Sequence, residues 1–363
     1  MSSNFISKTM QKLRLLLLPF SLLYWFAVKI RNLLFDINVL RSFEFDLPTI
    51  CVGNLTVGGT GKTPHTDYLI SLLKNNYKTA LLSRGYGRKT KGFRIVEQSS
   101  LAVEVGDEPL QLKLKHPDVA CAVHEDRLNG VVEVMGSFPE TEVVVLDDAF
   151  QHRWIKAGLN ILMVDYNRPV YADFFLPAGN LRDSISEIKR ANIVIVSKCP
   201  DNLTTHEQKL IAQRIKIKQN QDIYFTSVSY GKPKAVFSNY EDCNFNPNET
   251  IFALSGIANP KPFIHQLEKN YKLVGKKTFA DHHNFTVKEI LSIFEVTSND
   301  VMLVTTEKDA ARIRGLNLPS DVKSRIYYLP LEVYFINNNE NRFNSQILNY
   351  VGENKPNSNL YQE

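Results

Sequence analysis

The stretch GNLTVGGTGKTPHTDYL, which starts at Gly53, carries a phosphate-loop pattern. Such a loop ends in Gly-Lys-Ser/Thr, because backbone N–H groups surround the phosphates while the lysine contacts their outer oxygens and the hydroxyl holds Mg²⁺. Thr56 stands where the general pattern has its first glycine, but the later glycines can supply the flexible backbone. The alternative is a glycine-rich turn without a ligand. The predicted nucleotide-binding residues are Gly58, Gly59, Thr60, Gly61, Lys62 and Thr63.

Two carboxylates follow a strongly apolar run in the segment EVVVLDDAFQHR. This is where a Walker-B-type strand delivers an aspartate to the Mg²⁺ of a bound nucleotide. Asp147 and Asp148, together with Thr63, are therefore predicted metal ligands. The alternative, a solvated acidic turn, has less support beside a phosphate loop.

Two further segments offer groups for proton transfer. In VGDEPLQL, Asp107 can accept a proton from an attacking hydroxyl, or it can simply be the cap of a helix. In FADHHNFT, His282 can pair with a carboxylate, or the segment can be a surface turn that ends in a helix cap. Arg127 in HEDRLNG and Arg182 in LPAGNLRDS follow predicted strands, where a guanidinium can hold a phosphate.

The elements that position these residues can be predicted from apolar runs. Continuous rather than alternating apolarity indicates strands that are buried on both faces, and hence a mostly parallel α/β sheet with ligands at the carboxyl ends of its strands. A second α/β pattern follows residue 201. The predicted strands are residues 49–52, 79–82, 119–123, 143–146, 159–164 and 193–197, then 223–228, 250–254, 271–274, 301–305 and 326–329.

Four segments are predicted along the chain. Residues 1–36 are an apolar helix, 37–200 a phosphate-loop core, 201–345 a smaller C-terminal α/β domain, and 346–363 a polar tail. A late loop that reads guanine is disfavoured, because Pro200 replaces the aspartate that such a loop requires.

The apolar helix is too short to span a membrane comfortably. The uncharged run between Arg14 and Lys29 covers roughly 21 Å as a helix, against a hydrocarbon core of about 30 Å. Basic residues, including Lys8 and Lys12, flank it. We predict a helix that lies in the membrane interface; the alternative is a helix packed on the protein's own core.

Composition agrees with an ordinary globular protein. The 363 residues are 44% hydrophobic and 22% charged, with a net charge of +5. Because the basic residues are spread out, nucleic acid is not the expected partner. The four cysteines, Cys51, Cys121, Cys199 and Cys243, are far apart, which argues against a zinc site or a disulfide framework.

The ordered motifs resemble one family. VGNLTVGGTGKT, SRGYGRK, GDEP, EDR, LDDAFQHR, LPAGNLRD, FADHHNF and TTEKDAARI occur in the order found in tetraacyldisaccharide 4'-kinases of lipid A biosynthesis. The resemblance runs from the N-terminal helix to about Ile313, and Thr56 agrees with the family's own loop.

The resemblance implies a kinase that uses ATP and Mg²⁺ at the cytoplasmic face of a bacterial inner membrane. It would phosphorylate the 4'-hydroxyl of tetraacyldisaccharide 1-phosphate to give lipid IVA, with no obligate protein partner. Lys62 would contact the phosphates, and Asp107 assisted by His282 would take the proton. The resemblance leaves open which of Asp147 and Asp148 binds Mg²⁺ directly, and whether Asp183 also does. The matched substrate positions are Arg127, Gln151, His152 and Arg182.

Two other functions remain as alternatives. A phosphate-loop ATPase could drive a conformational switch at a membrane surface, but it would give Asp107 and His282 no task. A peripheral membrane scaffold that only binds nucleotide would also leave Asp107 and His282 without a role.

Overall fold

The structure is a computed structural model that describes residues 14–237, 245, 250–297 and 300–354. Lys8, Lys12, Cys243 and the part of the predicted tail after residue 354 lie outside these residues.

The helices and strands are numbered along the chain. The α-helices are α1 Leu18–Asp36, α2 Lys62–Leu73, α3 Ala102–Val105, α4 Asp107–Lys115, α5 Arg127–Ser137, α6 Thr205–Ile215, α7 Lys261–Asn270, α8 Val287–Val296, α9 Glu307–Ile313, α10 Ser320–Lys323 and α11 Glu340–Glu353. The strands are β1 Thr49–Asn54, β2 Thr79–Ser83, β3 Arg94–Ile95, β4 Ala120–Val123, β5 Val143–Asp147, β6 Leu159–Asp165, β7 Ile193–Ser197, β8 Asp222–Tyr230, β9 Lys234–Ala235, β10 Thr250–Ser255, β11 Lys272–Thr278, β12 Met302–Thr306, β13 Ile326–Leu329 and β14 Leu331–Phe335. Among the described residues, short 3₁₀ helices are Val170–Ala172, Ile185–Arg190 and Ile336–Asn338.

The chain forms two compact units, and neither is one continuous segment. Unit 1 comprises Met1–Arg84, Val119–Val228 and Val333–Glu363, and unit 2 comprises Gly85–Asp118 and Ser229–Glu332. These units differ from a division at residue 200, because α4 packs against α9 and so joins Gly85–Asp118 to the later segment.

Unit 1 contains a parallel sheet in the order β8-β7-β6-β1-β5-β2-β4. Every residue of β1, β2, β5 and β7 is buried, as continuous apolar runs predict. The loop that holds the phosphate pattern joins the end of β1 to α2. This order of strand, glycine loop and helix is the one that a phosphate loop requires.

Two placements in unit 1 differ from the sequence prediction. Residues 223–228 do form a strand, but β8 pairs with β7 of the first sheet and not with the second. Part of the predicted polar tail is ordered helix, because Ile347 and Val351 of α11 are buried. In both cases the apolar residues pack within unit 1, and a local pattern does not reveal that partner.

Unit 2 contains a smaller sheet in the order β11-β10-β12-β13-β9. Its strands are parallel except for β9, which pairs antiparallel with β13. Apolar residues of α8 and α9, including Ile290, Ile293 and Ile313, pack with Leu254 and Leu303 of the sheet. Both units are α/β folds with mostly parallel sheets, as predicted.

Helix α1 has the reverse of the usual amphipathic pattern. Its buried residues are Ser21, Val28, Asn32 and Phe35, two of which are polar. The opposite side is apolar and exposed: Leu22 is 65% and Leu23 is 69% accessible. Within the described residues, no helix combines the length and apolarity that a membrane crossing requires.

Candidate active site

The phosphate loop of unit 1 has the backbone conformation of its motif. Gly61 precedes α2 and has φ +83°, which an L side chain rarely adopts. Gly58 also has positive φ, +93°. Lys62 and Thr63 are the first two residues of α2, so the backbone N–H groups of its first turn have no intrahelical partner. Such N–H groups are suited to binding phosphate.

Two loop carbonyls are held by side chains from neighbouring elements. Ser197 Oγ donates to the Thr60 carbonyl at 2.8 Å. His65 Nδ1 lies 2.7 Å from the Gly61 carbonyl, and its Nε2 lies 2.9 Å from Thr226 Oγ1. Burial lowers the pKa of His65 to about 4, so the ring is neutral at physiological pH. In the neutral ring, Nδ1–H donates to the Gly61 carbonyl, and Nε2 accepts a hydrogen bond from the Thr226 hydroxyl.

Asn54, a residue that the sequence analysis missed, connects the loop to its lysine. Its Nδ2 donates to Thr60 Oγ1 at 2.9 Å, and its Oδ1 accepts from Lys62 Nζ at 3.1 Å. Lys62 also lies 3.6 Å from Asp148 Oδ1. Burial lowers the pKa of Lys62, and the charge of Asp148 opposes this effect.

The two adjacent aspartates have different environments. Asp147 is buried and accepts hydrogen bonds from Thr66 Oγ1 and Ser83 Oγ, each at 3.2 Å. Asp148 has φ +49° and pairs with Arg182 and Lys62. Burial alone would raise the pKa of Asp148, but Lys62 and Arg182 lower it to about 2.

The predicted substrate residues also lie in unit 1. Gln151 Nε2 donates to the Asn54 carbonyl at 2.6 Å, and Arg182 contacts both Asn54 and Asp148. His152 is partly buried; burial and the charge of Arg127 lower its pKa to about 4.

Arg127 occupies a different environment from these three residues, because it is only 1% exposed. It donates to the carbonyls of His124 at 2.6 Å and Asp147 at 3.1 Å. This position favours support of the Asp147 backbone over direct contact with a substrate.

Asp183 anchors α1. It is fully buried, and its Oδ1 accepts from Asn32 Nδ2 at 2.8 Å and from the Ser184 N–H at 2.8 Å. Its Oδ2 accepts from Arg31 Nη2 at 3.3 Å. These contacts favour a structural role over a metal contact.

Unit 2 brings the two predicted proton-transfer residues together. His282 Nδ1 lies 2.7 Å from Asp107 Oδ2, although the residues are far apart in sequence. The other ring nitrogen, Nε2, lies 3.1 Å from Lys308 Nζ. Because the Asp107 carboxylate can only accept at this short distance, Nδ1–H is assigned as the donor to it, and Nε2 then accepts from the Lys308 ammonium group.

Asp107 is the first residue of α4 but not its cap. Gly106 precedes the helix with φ +94°, and a Cβ there would lie 2.9 Å from Gly85 Cα. The Asp107 carboxylate instead contacts His282 and Arg312. The neighbouring His283 contacts Glu289 at 3.1 Å and stacks on Phe279, so it packs beside the capping box of α8.

Arg312 is the second residue that the sequence analysis missed. It lies in the TTEKDAARI motif, for which the sequence alone predicts no chemical role. Its Nε donates to Asp107 Oδ1 at 3.0 Å and its Nη2 to Asp107 Oδ2 at 2.5 Å. A sequence pattern alone does not pair these two distant charges.

Acidic and hydroxyl oxygens are the candidate metal ligands. No group of three or more His, Cys, Asp and Glu side chains is arranged to hold a metal ion in the described part of the chain. Mg²⁺ needs no such protein cage, because it commonly takes one or two carboxylates together with substrate phosphates and water. Asp148 and Asp147, with the hydroxyl of Thr63, have the donor chemistry that this requires.

Comparison with known proteins establishes the family. A family model described as tetraacyldisaccharide-1-P 4'-kinase (LpxK) matches residues 13–352. The chain belongs to the tetraacyldisaccharide 4'-kinase family. A tetraacyldisaccharide 4'-kinase of Flavobacterium johnsoniae is 44% identical, with 95% of this chain and 99% of the relative covered. One from Phocaeicola vulgatus is 42% identical, with 95% and 97% covered.

A solved structure of the same family has the same fold. The crystal structure of LpxK from Aquifex aeolicus in complex with ATP has a TM-score of 0.73 and 29% identity, and it covers 93% of this chain and 99% of that one. The predicted family, its kinase class and its place in lipid A biosynthesis are confirmed, as is the α/β fold with a phosphate-loop core.

Proposed function

We propose that this kinase transfers the γ-phosphoryl group of ATP to the 4'-hydroxyl of tetraacyldisaccharide 1-phosphate, which yields lipid IVA and ADP. The observation that carries the proposal is the 2.7 Å contact between Asp107 and His282. A nucleotide switch or a scaffold needs a phosphate loop but gives this pair no task. Transfer to an alcohol requires a positioned proton acceptor.

The phosphate loop and Lys62 hold the ATP phosphates. The exposed N–H groups at the start of α2 and the Lys62 ammonium supply positive potential where the phosphates bind. Gln151, His152 and Arg182 act near the phosphates or the lipid headgroup, because Gln151 and Arg182 contact the Asn54 that also holds Lys62. Arg127 supports the Asp147 backbone from its buried position.

Mg²⁺ would be held by Asp148 and the Thr63 hydroxyl, with Asp147 beside them. Asp148 is the better candidate for a direct ligand, because its side chain is 32% exposed, whereas Asp147 is buried and its two oxygens accept hydrogen bonds from the Thr66 and Ser83 hydroxyls. When bound, the ion neutralises charge that builds up on the phosphate oxygens.

The transfer step conserves charge and atoms. The 4'-hydroxyl oxygen forms a bond to the γ-phosphorus, the bond from that phosphorus to the β-phosphate oxygen breaks, and ADP leaves with the electron pair. The hydroxyl proton passes to Asp107, which His282 orients through Nδ1–H. Asp107 suits this task, because it is ionised: burial would raise its pKa, but Arg312 and His282 hold that pKa below its ordinary value.

We also propose that the enzyme works at the cytoplasmic face of the inner membrane, with α1 in the interface. A four-chain lipid leaves a bilayer only at a large free-energy cost, since each buried CH₂ contributes about 0.8 kcal/mol. The exposed apolar side of α1, with Lys29 and Arg31 on the same helix, supports this position.

The test is transfer of labelled γ-phosphate from ATP to tetraacyldisaccharide 1-phosphate in detergent micelles. We expect Asp107→Asn and His282→Gln each to lower kcat by about 10²- to 10⁴-fold while ATP binding stays intact. His283→Gln is the matched control, because it removes the adjacent imidazole, which has separate contacts. ATP hydrolysis without labelled lipid would instead indicate a nucleotide switch.

A further inference from the structure

The TTEKDAARI segment forms a buried polar network in unit 2. Arg312 is at its centre, and its side chain is only 3% exposed. Besides both oxygens of Asp107, it donates from Nη1 to Asp309 Oδ1 at 2.9 Å and to the Gly256 carbonyl at 3.2 Å. Four hydrogen bonds of one guanidinium thus fix a single orientation of its side chain.

Asp309 in turn fixes Arg312. Its Oδ2 accepts from the Gly256 N–H at 2.9 Å and from Thr306 Oγ1 at 2.6 Å, and the carboxylate is fully buried. The guanidinium is therefore anchored to α9 on one side and to the end of β10 on the other. A buried guanidinium that makes several hydrogen bonds holds its partner in a defined position better than an exposed one.

Lys308 of the same segment positions the imidazole. Its Nζ lies 3.1 Å from His282 Nε2, 3.1 Å from Glu108 Oε1 and 3.6 Å from Asp281 Oδ1. Tyr86 lies beside the imidazole ring, with 5.8 Å between ring centroids. The segment therefore contacts both members of the Asp107–His282 pair.

These contacts leave the two oxygens of Asp107 unequal. Oδ2 accepts from Arg312 Nη2 and from His282 Nδ1, which uses both of its lone pairs. Oδ1 accepts from Arg312 Nε alone among the described residues, so it retains a lone pair. A proton from a substrate hydroxyl can then be received at Oδ1.

We propose that Arg312 is a positioning residue of the phosphoryl transfer: it clamps Asp107 so that Oδ1 is the oxygen that receives the hydroxyl proton. This inference rests on the proposed function, because it requires Asp107 to be the proton acceptor. Arg312 itself does not touch the substrate.

The same clamp keeps Asp107 ionised at lower pH. The charged and titratable groups that face this carboxylate in unit 2 are Arg312, His282 and Lys308, with Asp309, Asp281 and Glu108 around them. Removing the guanidinium leaves burial, which favours the neutral acid, with less opposition. The pKa of Asp107 then rises, and the acidic limb of the kcat profile moves to higher pH.

The experiment compares the intact chain with Arg312→Gln and Arg312→Lys in the labelled-phosphate assay between pH 5.5 and 9. We expect Arg312→Gln to lower kcat by about 10²-fold, to leave the KM for ATP within about twofold, and to shift the acidic limb upward. Arg312→Lys keeps the positive charge but loses the bidentate contact with Asp107, so we expect its kcat to lie between those of Arg312→Gln and the intact chain. The control is Arg314→Gln, which removes a nearby arginine that bonds to the Val236 carbonyl.

Two outcomes would overturn the inference. One is a folded Arg312→Gln chain whose kcat and pH profile match those of Arg314→Gln. The other is an Asp107→Asn, Arg312→Gln double variant that is much slower than Asp107→Asn alone, because a residue that acts only through Asp107 adds nothing once that carboxylate is gone. The double variant also leaves no unpaired charge at residue 107, which guards against misfolding.

The Asp107→Asn variant separates this inference from the proposed function. If it transfers phosphate at the normal rate, Asp107 is not the acceptor and the proposed function is wrong in that respect. If it is inactive while Arg312→Lys and Arg312→Gln are unaffected, only the role of Arg312 is wrong.

Discussion

At the scale of single residues, His65 links the phosphate loop to β8 and makes stability depend on pH. Its pKa is lowered by burial to about 4, whereas an unfolded histidine has a pKa of about 6.5. The unfolded chain therefore binds more protons between these values, and the free energy of unfolding falls as pH drops through this range. At pH 5 the loss due to His65 is about 2 kcal/mol relative to pH 7.5.

We expect His65→Gln to remove the part of the pH dependence of the unfolding free energy that His65 contributes. Urea unfolding at pH 7.5 and pH 5 measures it: the drop between the two pH values should be about 2 kcal/mol smaller in the variant. His265→Gln, on the exposed side of α7, is the control. An equal drop in His65→Gln and the intact chain would contradict the prediction.

Removing the charge of Asp148 should change the Mg²⁺ requirement of the enzyme more than removing the charge of Asp147. Asp148 lies beside Lys62 and Arg182, whereas Asp147 is held by Thr66 and Ser83. We expect Asp148→Asn to raise the Mg²⁺ concentration for half-maximal transfer at least about tenfold, and Asp147→Asn to raise it less. Initial rates over a Mg²⁺ series measure both. An unchanged Mg²⁺ requirement in Asp148→Asn would exclude it as a ligand; Asp222→Asn, which removes the partner of Arg342, is the control.

The residues that sequence analysis identified at the site are those whose chemistry is local. A phosphate loop, a double aspartate after a strand and an Asp-His-His run each have a pattern that can be read from adjacent residues. Asn54 and Arg312 were missed, because their tasks depend on partners that only the fold brings near. Arg127 was predicted to hold a phosphate because of its charge, but its burial could not be predicted from its neighbours in the sequence.

At the scale of elements, the cap of α5 positions Arg127. Asp126 accepts hydrogen bonds from the backbone N–H groups of Leu128 at 2.9 Å and Asn129 at 3.3 Å. We expect Asp126→Ala to lower the free energy of unfolding by about 1 kcal/mol, while Asp126→Asn, which is also a good cap, changes it little. Urea unfolding compares the two variants. Equal stability of Asp126→Ala and Asp126→Asn would show that the cap contributes nothing.

Strands buried on both faces were the easiest elements to predict, because their apolar runs are continuous. Their partners were harder: β8 follows a polar helix and looks like the start of a new domain, yet it pairs with β7. The membership of Gly85–Asp118 in unit 2 was equally hard to predict. Where a chain leaves one unit and later returns to it, the amino-acid composition does not change at the crossing points.

At the scale of the whole molecule, α1 exposes the residues that a soluble helix would bury. Polar groups attach it to the rest of unit 1: Tyr24 donates to the Arg182 carbonyl at 3.0 Å, and Ser21 donates to the Phe175 carbonyl at 2.9 Å. Exposed apolar patches of this kind mark interaction surfaces. Because hydrogen bonds hold the inner side of α1, its outer side can change without loss of the fold.

The outer side of α1 should therefore control membrane binding independently of stability. Leu22, Leu23 and Phe26 are 65%, 69% and 58% exposed, so a triple substitution to serine should leave the urea midpoint unchanged. Binding to anionic lipid vesicles should weaken by at least about 4 kcal/mol, or roughly 10³-fold, as each apolar side chain contributes about 1.5–3 kcal/mol when buried. Vesicle sedimentation measures this. The control is Val132→Ser with Met135→Ser, which are exposed on α5. Equal binding by the triple variant and this control would exclude α1 as the membrane contact.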